Sequence, residues 1–247
     1  MQAIIMAAGK GSRLGAINEG KPKSFLEIQG TRLIDYNIAI FRSLGIKQII
    51  IVTGYCAVAF ERDYGGQSDI ELVFNPFFEH ANVIGSFWAG MHLLNDDFIF
   101  LHADSLCDPS IIDELIASDG DVVLPVDFDI YNEEAMGVRC YKGKAIEVSK
   151  KIPIDTAETG EFIGYAKVCK NMIPHVKKEV VKLLEEREFA EYFEASIQRL
   201  MDKKLHDIIT ISTNNRFWAE IDFEDDYKKA ACEIPNSLIA LAKANAT

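Results

Sequence analysis

The sequence predicts an α/β domain of Rossmann-like architecture, with a mixed, mostly parallel central sheet and a small antiparallel extension. Three observations carry that expectation. Short, continuous apolar runs alternate with helix-length segments through the first half, the pattern of strands buried on both faces of a sheet. After about residue 120 the apolar runs follow one another at hairpin distance. The 247-residue chain is 49% hydrophobic with only 7 prolines, which excludes a largely disordered polymer and supplies a full core.

The elements follow in order. AIIM (residues 3–6) is the first strand. Leu33, Ile34, Ile38, Phe41 and Leu44 recur at helical spacing, and Gly45 is a natural stop. QIIIVT (48–53) and residues 70–74 are the next strands, followed by a helix over 82–94 and the strand FIFL (98–101). Strands are then expected over 121–126, 137–141 and 145–149, the last two joined by the hairpin signal Lys142-Gly143-Lys144. Residues 161–168 add another strand, 172–186 and 189–201 read as helices, and a final strand pair lies within 208–221. Without a repeat or a Pro/Ser-rich linker, one domain over 1–231 is expected, with 232–247 as a C-terminal tail, either a short helix or a frayed end.

With 26 Lys plus Arg against 38 Asp plus Glu, the net charge is −12, which argues against a nucleic-acid partner. No apolar stretch approaches the ~18 residues of a membrane span, so no membrane partner is expected. A strand-like run begins at Gln2, with no basic region and cleavage site before it, which suggests a cytoplasmic protein. Cys56, Cys107, Cys140, Cys169 and Cys232 form no CxxC pair and no zinc-type cluster. They read as idle thiols of a reducing compartment.

Strand 3–6 runs into AAGKGSRLG (7–15), whose small residues let backbone N–H groups approach a phosphate. A dinucleotide fingerprint fails here: Gly9 and Gly11 fit, but Leu14 holds the third position and Gly15 falls one residue late. Nothing matches a P-loop. The cations Lys10, Arg13, Lys21 and Lys23 crowd the same segment, which suits a triphosphate under attack at phosphorus. The competing reading is a plain loop with solvated cations. Asp104 follows the 98–101 strand, where open α/β sheets bind ligands, and Mg²⁺ is held by one or two carboxylates plus substrate phosphates. Asp222, in RFWAEIDFEDDYKKA, is a second candidate; a helix N-cap with Glu224 and Asp225 in the first turn is its alternative. Asp108 reads as the cap of a helix from Pro109, and Glu220 and Asp226 as structural or solvated acids.

The run AAGKGSRLGAINEGKPKSFLEIQGTRLIDY (7–36) resembles the signature of the nucleoside triphosphate:phosphate nucleotidyltransferases. That signature is a strand, AAGxGSRL or AAGxGTRL, about eight residues, then PKxxLxxxGxPLIxY. Lys21 before Pro22, and Gly15-Ala16-Ile17 in place of a proline-containing turn, depart from the pattern. They bear on the base bound, not on the phosphates. The resemblance implies the nucleotide-diphospho-sugar transferase type of fold. It implies that Ala8, Gly9, Gly11, Ser12 and Arg13 wrap the triphosphate and that Lys23 sits against its phosphates. It implies that Asp104 and Asp222 hold Mg²⁺ as cofactor on the α-phosphate. Arg13, Lys23, Asp104 and Asp222 are thus the expected catalytic set.

FNPFFEHANVIGSFWAGMHL (74–93) resembles the phosphocholine cytidylyltransferase-like branch, with an NP segment followed by N-x-x-x-S. Asn82 and Ser86, four apart, share a helix face and are expected to reach the nucleoside; a helix N-cap is the other reading of Asn82. EVSKKI and GEFIGYAKV also resemble that branch. They nominate Lys150, in preference to Lys151, for the acceptor phosphate and Glu161 for the acceptor pocket, against solvated hairpin-end charges. DFDIYNEE (127–134) carries Asp127 and Tyr131, which suit a cationic amine headgroup unless the segment is a solvated acidic loop. The expected partners are therefore CTP and a small phosphate- or phosphonate-bearing acceptor, in a monomer or homodimer. Rival readings are a sugar-1-phosphate nucleotidyltransferase using UTP, dTTP or GTP, and a non-catalytic nucleotide-binding regulator. An acceptor phosphate is already anionic, so no general base is needed. The five histidines are scattered accordingly, with His102 read as a strand-end residue or a support for Asp104.

Overall fold

β1 (Gln2–Ala7) is buried along its whole length, because sheet neighbours flank it and side chains cover both its faces. The computed structural model describes residues 1–18, 20–129, 135–153, 158–204 and 206–245. After β1 come a small hairpin, β2 (Glu27–Ile28) and β3 (Thr31–Arg32), then α1 (Leu33–Ser43), β4 (Gln48–Thr53), α2 (Ala57–Tyr64), β5 (Ile70–Phe74) and α3 (Val83–Gly90). Next are β6 (Phe98–His102), β7 (Ser105–Cys107), α4 (Pro109–Ala117), β8 (Val122–Asp127), β9 (Gly137–Tyr141), β10 (Lys144–Ser149), β11 (Thr159–Phe162) and β12 (Tyr165–Val168). The chain finishes with α5 (Ile173–Glu185), α6 (Phe193–Asp202), β13 (Ile208–Ser212), β14 (Trp218–Glu220), α7 (Glu224–Glu233) and α8 (Asn236–Asn245).

Ten strands form one sheet in the order β11-β9-β10-β13-β8-β12-β6-β1-β4-β5. β6, β1, β4 and β5 are parallel, as are β8 and β13. β12 runs antiparallel between β6 and β8, and β9, β10 and β11 pair antiparallel. The sheet is therefore mixed throughout, with its parallel character concentrated around β1, because short hairpin connections admit only antiparallel pairing. The Lys142-Gly143 turn joining β9 to β10 has φ of 52° and 75°, the two left-handed residues of a type I′ hairpin.

Alternation along the strands sorts the core onto two faces. Ala3, Ile5, Ile49, Ile51, Ile99 and Leu101 pack with residues of α1, α4 and α8 on one side. Ile4, Met6, Ile50, Val52, Phe98 and Phe100 pack with α3, α5 and α6 on the other. Phe193 stacks on Phe100 at 4.0 Å between ring centroids, which pins the start of α6 over β6.

Several expected elements are corrected. The 161–168 strand is two, β11 and β12, broken at Gly164, whose φ is +86°. The expected pair within 208–221 does not form: β13 joins the main sheet, whereas β14 pairs with β7. The expected 82–94 helix is α3 plus a 3₁₀ turn over Met91–Leu93, with Asn82 at its N-cap, and the second of the late helices begins at Phe193 rather than at residue 189. Asp108 caps α4 by accepting from the Ser110 N–H at 2.9 Å. The expected boundary at 231/232 falls inside α7, and α8 packs on α1 with Leu238 and Ala242 buried.

Candidate active site

The C-terminal ends of β1, β4 and β6 lie along one edge of the sheet, where open α/β sheets present ligand sites. Gly9 there has open space around its Cα, and Gly11 adopts φ +68° with a would-be Cβ 2.9 Å from the Cβ of Lys23. A side chain at Gly11 is therefore excluded on two counts. Buried Asn18 holds the loop closed, donating from Nδ2 to the carbonyls of Lys10 (2.7 Å) and Lys21 (2.6 Å). The Lys23 N–H donates to the Gly9 carbonyl at 3.2 Å, seating Lys23 directly across the glycine loop.

Asp104 lies two residues beyond β6, and Asp222 lies two residues beyond β14. The β7–β14 ribbon, with Ser105 opposite Glu220, brings them together, and the Ile221 N–H donates to the Asp104 carbonyl at 3.1 Å. Lys23 Nζ then bridges the pair, 2.6 Å from Asp104 Oδ2 and also paired with Asp222. Arg13 reaches Asp222 at 3.1 Å. Burial opposes the Lys23 charge, but Asp104 and Asp222 outweigh it and hold its pKa above the ordinary lysine value. Burial likewise acts against ionised Asp104, and Lys23 and His102 reverse it, leaving its pKa lowered. Asp222 is not the N-cap of α7: Phe223 occupies that position, and Asp226 accepts from the backbone N–H groups of Asp222 and Phe223.

Asp104 Oδ1 is buried without a hydrogen-bond partner among the described residues. A free carboxylate oxygen beside a second carboxylate is the hard, all-oxygen donor set that suits Mg²⁺. No group of three or more metal-ligating side chains converges among the described residues. Two carboxylates here fit a metal completed by substrate phosphates and water, not an all-protein cage.

A cleft of about 270 Å³ opens over these groups, and Lys150, Phe162, Tyr192 and Glu194 also line it. Lys150 Nζ sits over the Tyr192 ring, 4.6 Å from its centroid. His102 Nε2 bonds Glu194 Oε1 at 2.7 Å. Burial works against the His102 charge, but Glu194 overrides it and raises the imidazole pKa to about 9. Crowding by protein atoms, then Asp104, push the Glu220 carboxyl up to about 7. An adjoining pocket of about 180 Å³ is lined by Ala8, Gly9, Phe78, Asn82 and Ser86. There Asn82 Oδ1 accepts from the Val83 N–H and its Nδ2 donates to the Ala190 carbonyl, while Ser86 Oγ accepts from Asn75 at 3.1 Å.

The model of the MobA-like NTP transferase domain matches residues 3–204. The chain belongs to that family. This NTP transferase is 25% identical, over 92% of its length and 97% of the relative's, to the CTP:phosphoglutamine cytidylyltransferase of Campylobacter jejuni. Among solved structures it resembles the CTP:phosphocholine cytidylyltransferase of Streptococcus pneumoniae, with a TM-score of 0.74 at 21% identity over 95% of this chain and 99% of that one. It also resembles the inositol-1-phosphate CTP transferase of T. maritima, with a TM-score of 0.73 at 19% identity over 99% and 95%. At those identities the two structures establish a shared fold. The chain is thus a nucleotidyltransferase, built on the mixed-sheet fold of that enzyme class.

Of the residues expected at the transferase site, Gly9, Gly11, Ser12, Arg13, Lys23, Asn82, Asp104, Lys150 and Asp222 line the main cleft, and Ala8 and Ser86 line the pocket beside it. Lys151 is exposed and outside the cleft lining. Glu161 lines a separate cavity beyond Asp222. Asp127 is buried with its carboxylate taken up by the Trp218 indole N–H and the Asp129 N–H, so it is not among the residues of either cleft. Tyr131 lies outside the described residues. Sequence reasoning missed Asn18, Tyr192 and Glu194. Only an Asn in a glycine loop hinted at the first, and nothing local marked the others, which a distant helix start carries to the cleft.

Proposed function

We propose that the protein transfers CMP from CTP to a small phosphorylated or phosphonylated alcohol or amine, releasing pyrophosphate. The observation that carries this reading is one cleft lined together by Gly9, Gly11, Arg13 and Lys150 and by Lys23, Asp104 and Asp222, with Lys23 bridging the two carboxylates. That is the disposition two phosphate-bearing substrates require when one attacks the other. Similarity to a phosphoglutamine cytidylyltransferase supports CTP as the donor and a small phospho-compound as the acceptor.

In this reading an acceptor phosphate oxygen attacks the α-phosphorus of CTP. The new P–O bond forms as the bond to the bridging oxygen of the β-phosphate breaks, and pyrophosphate leaves with that electron pair. Arg13 offers a two-pronged fork to nonbridging oxygens, and Lys23 follows the developing charge as a movable point cation. Lys150 fixes the acceptor phosphate, and the Tyr192 ring beneath it limits where its ammonium can go. Asp104 and Asp222 would hold Mg²⁺, which supplies neutralisation of the phosphate charge. Ser86, held by Asn75, retains its hydroxyl proton to donate to the nucleoside, while Asn82 shapes the wall.

The test is pyrophosphate release across four nucleoside triphosphates and a panel of acceptors: phosphocholine, phosphoethanolamine, 2-aminoethylphosphonate, glycerol phosphate and hexose 1-phosphates. Turnover confined to CTP with small acceptors is expected. Turnover with UTP and a hexose phosphate instead would replace this reading with a sugar-nucleotide one.

A further inference from the structure

His102 is the last residue of β6. With Gly9, Lys23 and Asp104 it lines both the main cleft and the pocket beside it. Its ring stands edge-on to Phe100, 4.9 Å between centroids, and Phe162 and Tyr192 flank it at 6.4 Å each. Packing thus fixes where the ring lies, and charge fixes one of its nitrogens, because Nε2 bonds Glu194 Oε1 at 2.7 Å.

Glu194 is 2% exposed. The imidazole is its only hydrogen-bond or ion-pair partner among the described residues, and its Oε2 is buried with none. A carboxylate buried this deeply is costly unless positive charge meets it. The pair is therefore held with two protons, one between Nε2 and Oε1 and the other on Nδ1. Whichever partner owns the shared proton, Nδ1 is a donor. Nδ1 makes no hydrogen bond to a described residue, and unlike Glu194 Oε2 it is not sealed from solvent. Holding α6 to β6 does not call for this pair, since the stack of Phe193 on Phe100 already does so and an apolar pair would avoid burying charge. A buried acid that grips one ring nitrogen while the other opens to a cleft is a device for aiming the second nitrogen.

The place of the ring identifies its target. A nucleotide with its nucleoside beside Asn82 and Ser86, and its outer phosphates on the glycine loop, passes its first phosphate through the rim that the two spaces share. We infer that His102 Nδ1 donates to a nonbridging oxygen of the α-phosphate, with Glu194 as the positioning residue that turns the ring and keeps the hydrogen on that nitrogen. The inference rests on the reaction proposed above, in which this phosphorus is the one attacked. A donor fixed there before the reaction strengthens its hold as charge builds on those oxygens.

Two near-isosteric changes separate this role from a structural one. His102→Gln sets its amide where Nε2 lies, keeping the contact with Glu194 and losing the donor at the cleft. His102→Asn sets its amide where Nδ1 lies, keeping the donor and losing Glu194. The first measurement needs no turnover: calorimetric dissociation constants, without divalent metal, for CMP against cytidine and for UMP against uridine. In the wild type the phosphate should tighten binding with at least one base. In His102→Gln and Glu194→Gln that advantage should shrink about tenfold or more, the loss of one charge-assisted hydrogen bond, while nucleoside affinity stays within twofold. His102→Asn should retain most of it. The reverse order, with His102→Gln close to wild type and His102→Asn impaired, overturns the inference and leaves the pair a clamp between β6 and α6. A wild type that gains nothing from the phosphate with either base overturns it too. Should His102→Asn fail to fold for want of a partner to Glu194, His102→Asn combined with Glu194→Gln removes the unpaired charge and should carry the advantage.

The second measurement is steady-state transfer from CTP to phosphocholine and the other acceptors. His102→Gln should lower kcat about ten- to hundredfold and leave the acceptor KM within threefold. A raised acceptor KM with kcat unchanged would move the contact to the acceptor and overturn the inference. A His102-dependent gain from the phosphate in a protein that transfers CMP to no acceptor keeps the contact and removes the proposed reaction. Transfer with a gain indifferent to His102 does the reverse.

Discussion

In one part of the cleft lining, the groups suited to a triphosphate come from one continuous stretch: the glycine loop, Arg13 and Lys23 all lie within residues 7–36. The rest of the lining is scattered along the chain: Lys150 follows β10, Phe162 ends β11, Tyr192 precedes α6 and Glu194 lies on it. The difference is one of chemistry. A triphosphate presents the same oxygens whatever it is joined to, so a short loop with fixed backbone geometry suffices. In the proposed reaction the acceptor is recognised by shape and charge in three dimensions, which suits a wall gathered from separate elements of the fold. Breaking the first part should stop the proposed reaction; altering the second should change what is used.

The largest effect is expected at the carboxylate pair. Asp104→Ala removes the carboxylate with a free buried oxygen and one of the two partners of Lys23, and turnover should fall about a thousandfold or more. The check is pyrophosphate release under saturating substrates, with circular dichroism showing an intact fold. A rate within tenfold of wild type would take Asp104 out of the reaction centre.

Gly11→Ala comes next. It forces an alanine into φ +68° and sets its Cβ 2.9 Å from that of Lys23. The backbone conflict should cost about 1–2 kcal/mol of stability, and displacement of Lys23 should slow turnover by about ten- to hundredfold. Thermal unfolding and single-turnover rates separate the two losses. Gly9→Ala is the contrast: Gly9 has open space around it, so its variant should keep stability and lose only activity. Equal destabilisation of both variants would show that the loop is not held as described.

Lys150→Ala acts in the second part of the lining. With its cation gone from above Tyr192, the acceptor KM should rise about tenfold while the CTP KM stays within twofold. A rise in both would place Lys150 among the nucleotide's contacts.

The same contrast explains what could be read in advance. β4 was legible to the residue because QIIIVT is buried on both faces and reads as an unbroken apolar run. The glycine loop was legible because its chemistry is contiguous. The pairing of Asp104 with Asp222 was reached only through the resemblance, as it depends on two three-residue strands, β7 and β14, too short to carry periodicity. Glu194 was hidden because nothing within 189–201 marks the residue that the Phe193–Phe100 stack sets against His102. Gly164 was read as the middle of one strand, yet its φ of +86° ends β11 and redirects the chain into β12. A single glycine inside an apolar run does not announce that change.

The smallest expected effect is on stability, at Glu161, whose cavity shares Glu220 and Asp222 with the cleft. Burial, then Asp127 and Asp226, push the Glu161 carboxyl up to about 7 in the folded chain, above the ordinary 4.5, against the pull of Lys150 and Lys229. A carboxyl raised in this way favours the folded state only while protonated. Its contribution is complete below the ordinary value and is lost as the pH climbs through 7. Above that, the wild type carries a buried charge facing Asp127, whereas Glu161→Gln is neutral at every pH. The two proteins should therefore melt together near pH 4.5, and the variant should be the more stable by about 1–3 kcal/mol at pH 8, a shift of a few degrees. Melting curves that stay parallel from pH 4.5 to 8 would mean that Lys150 and Lys229 compensate the ionised Glu161 carboxylate.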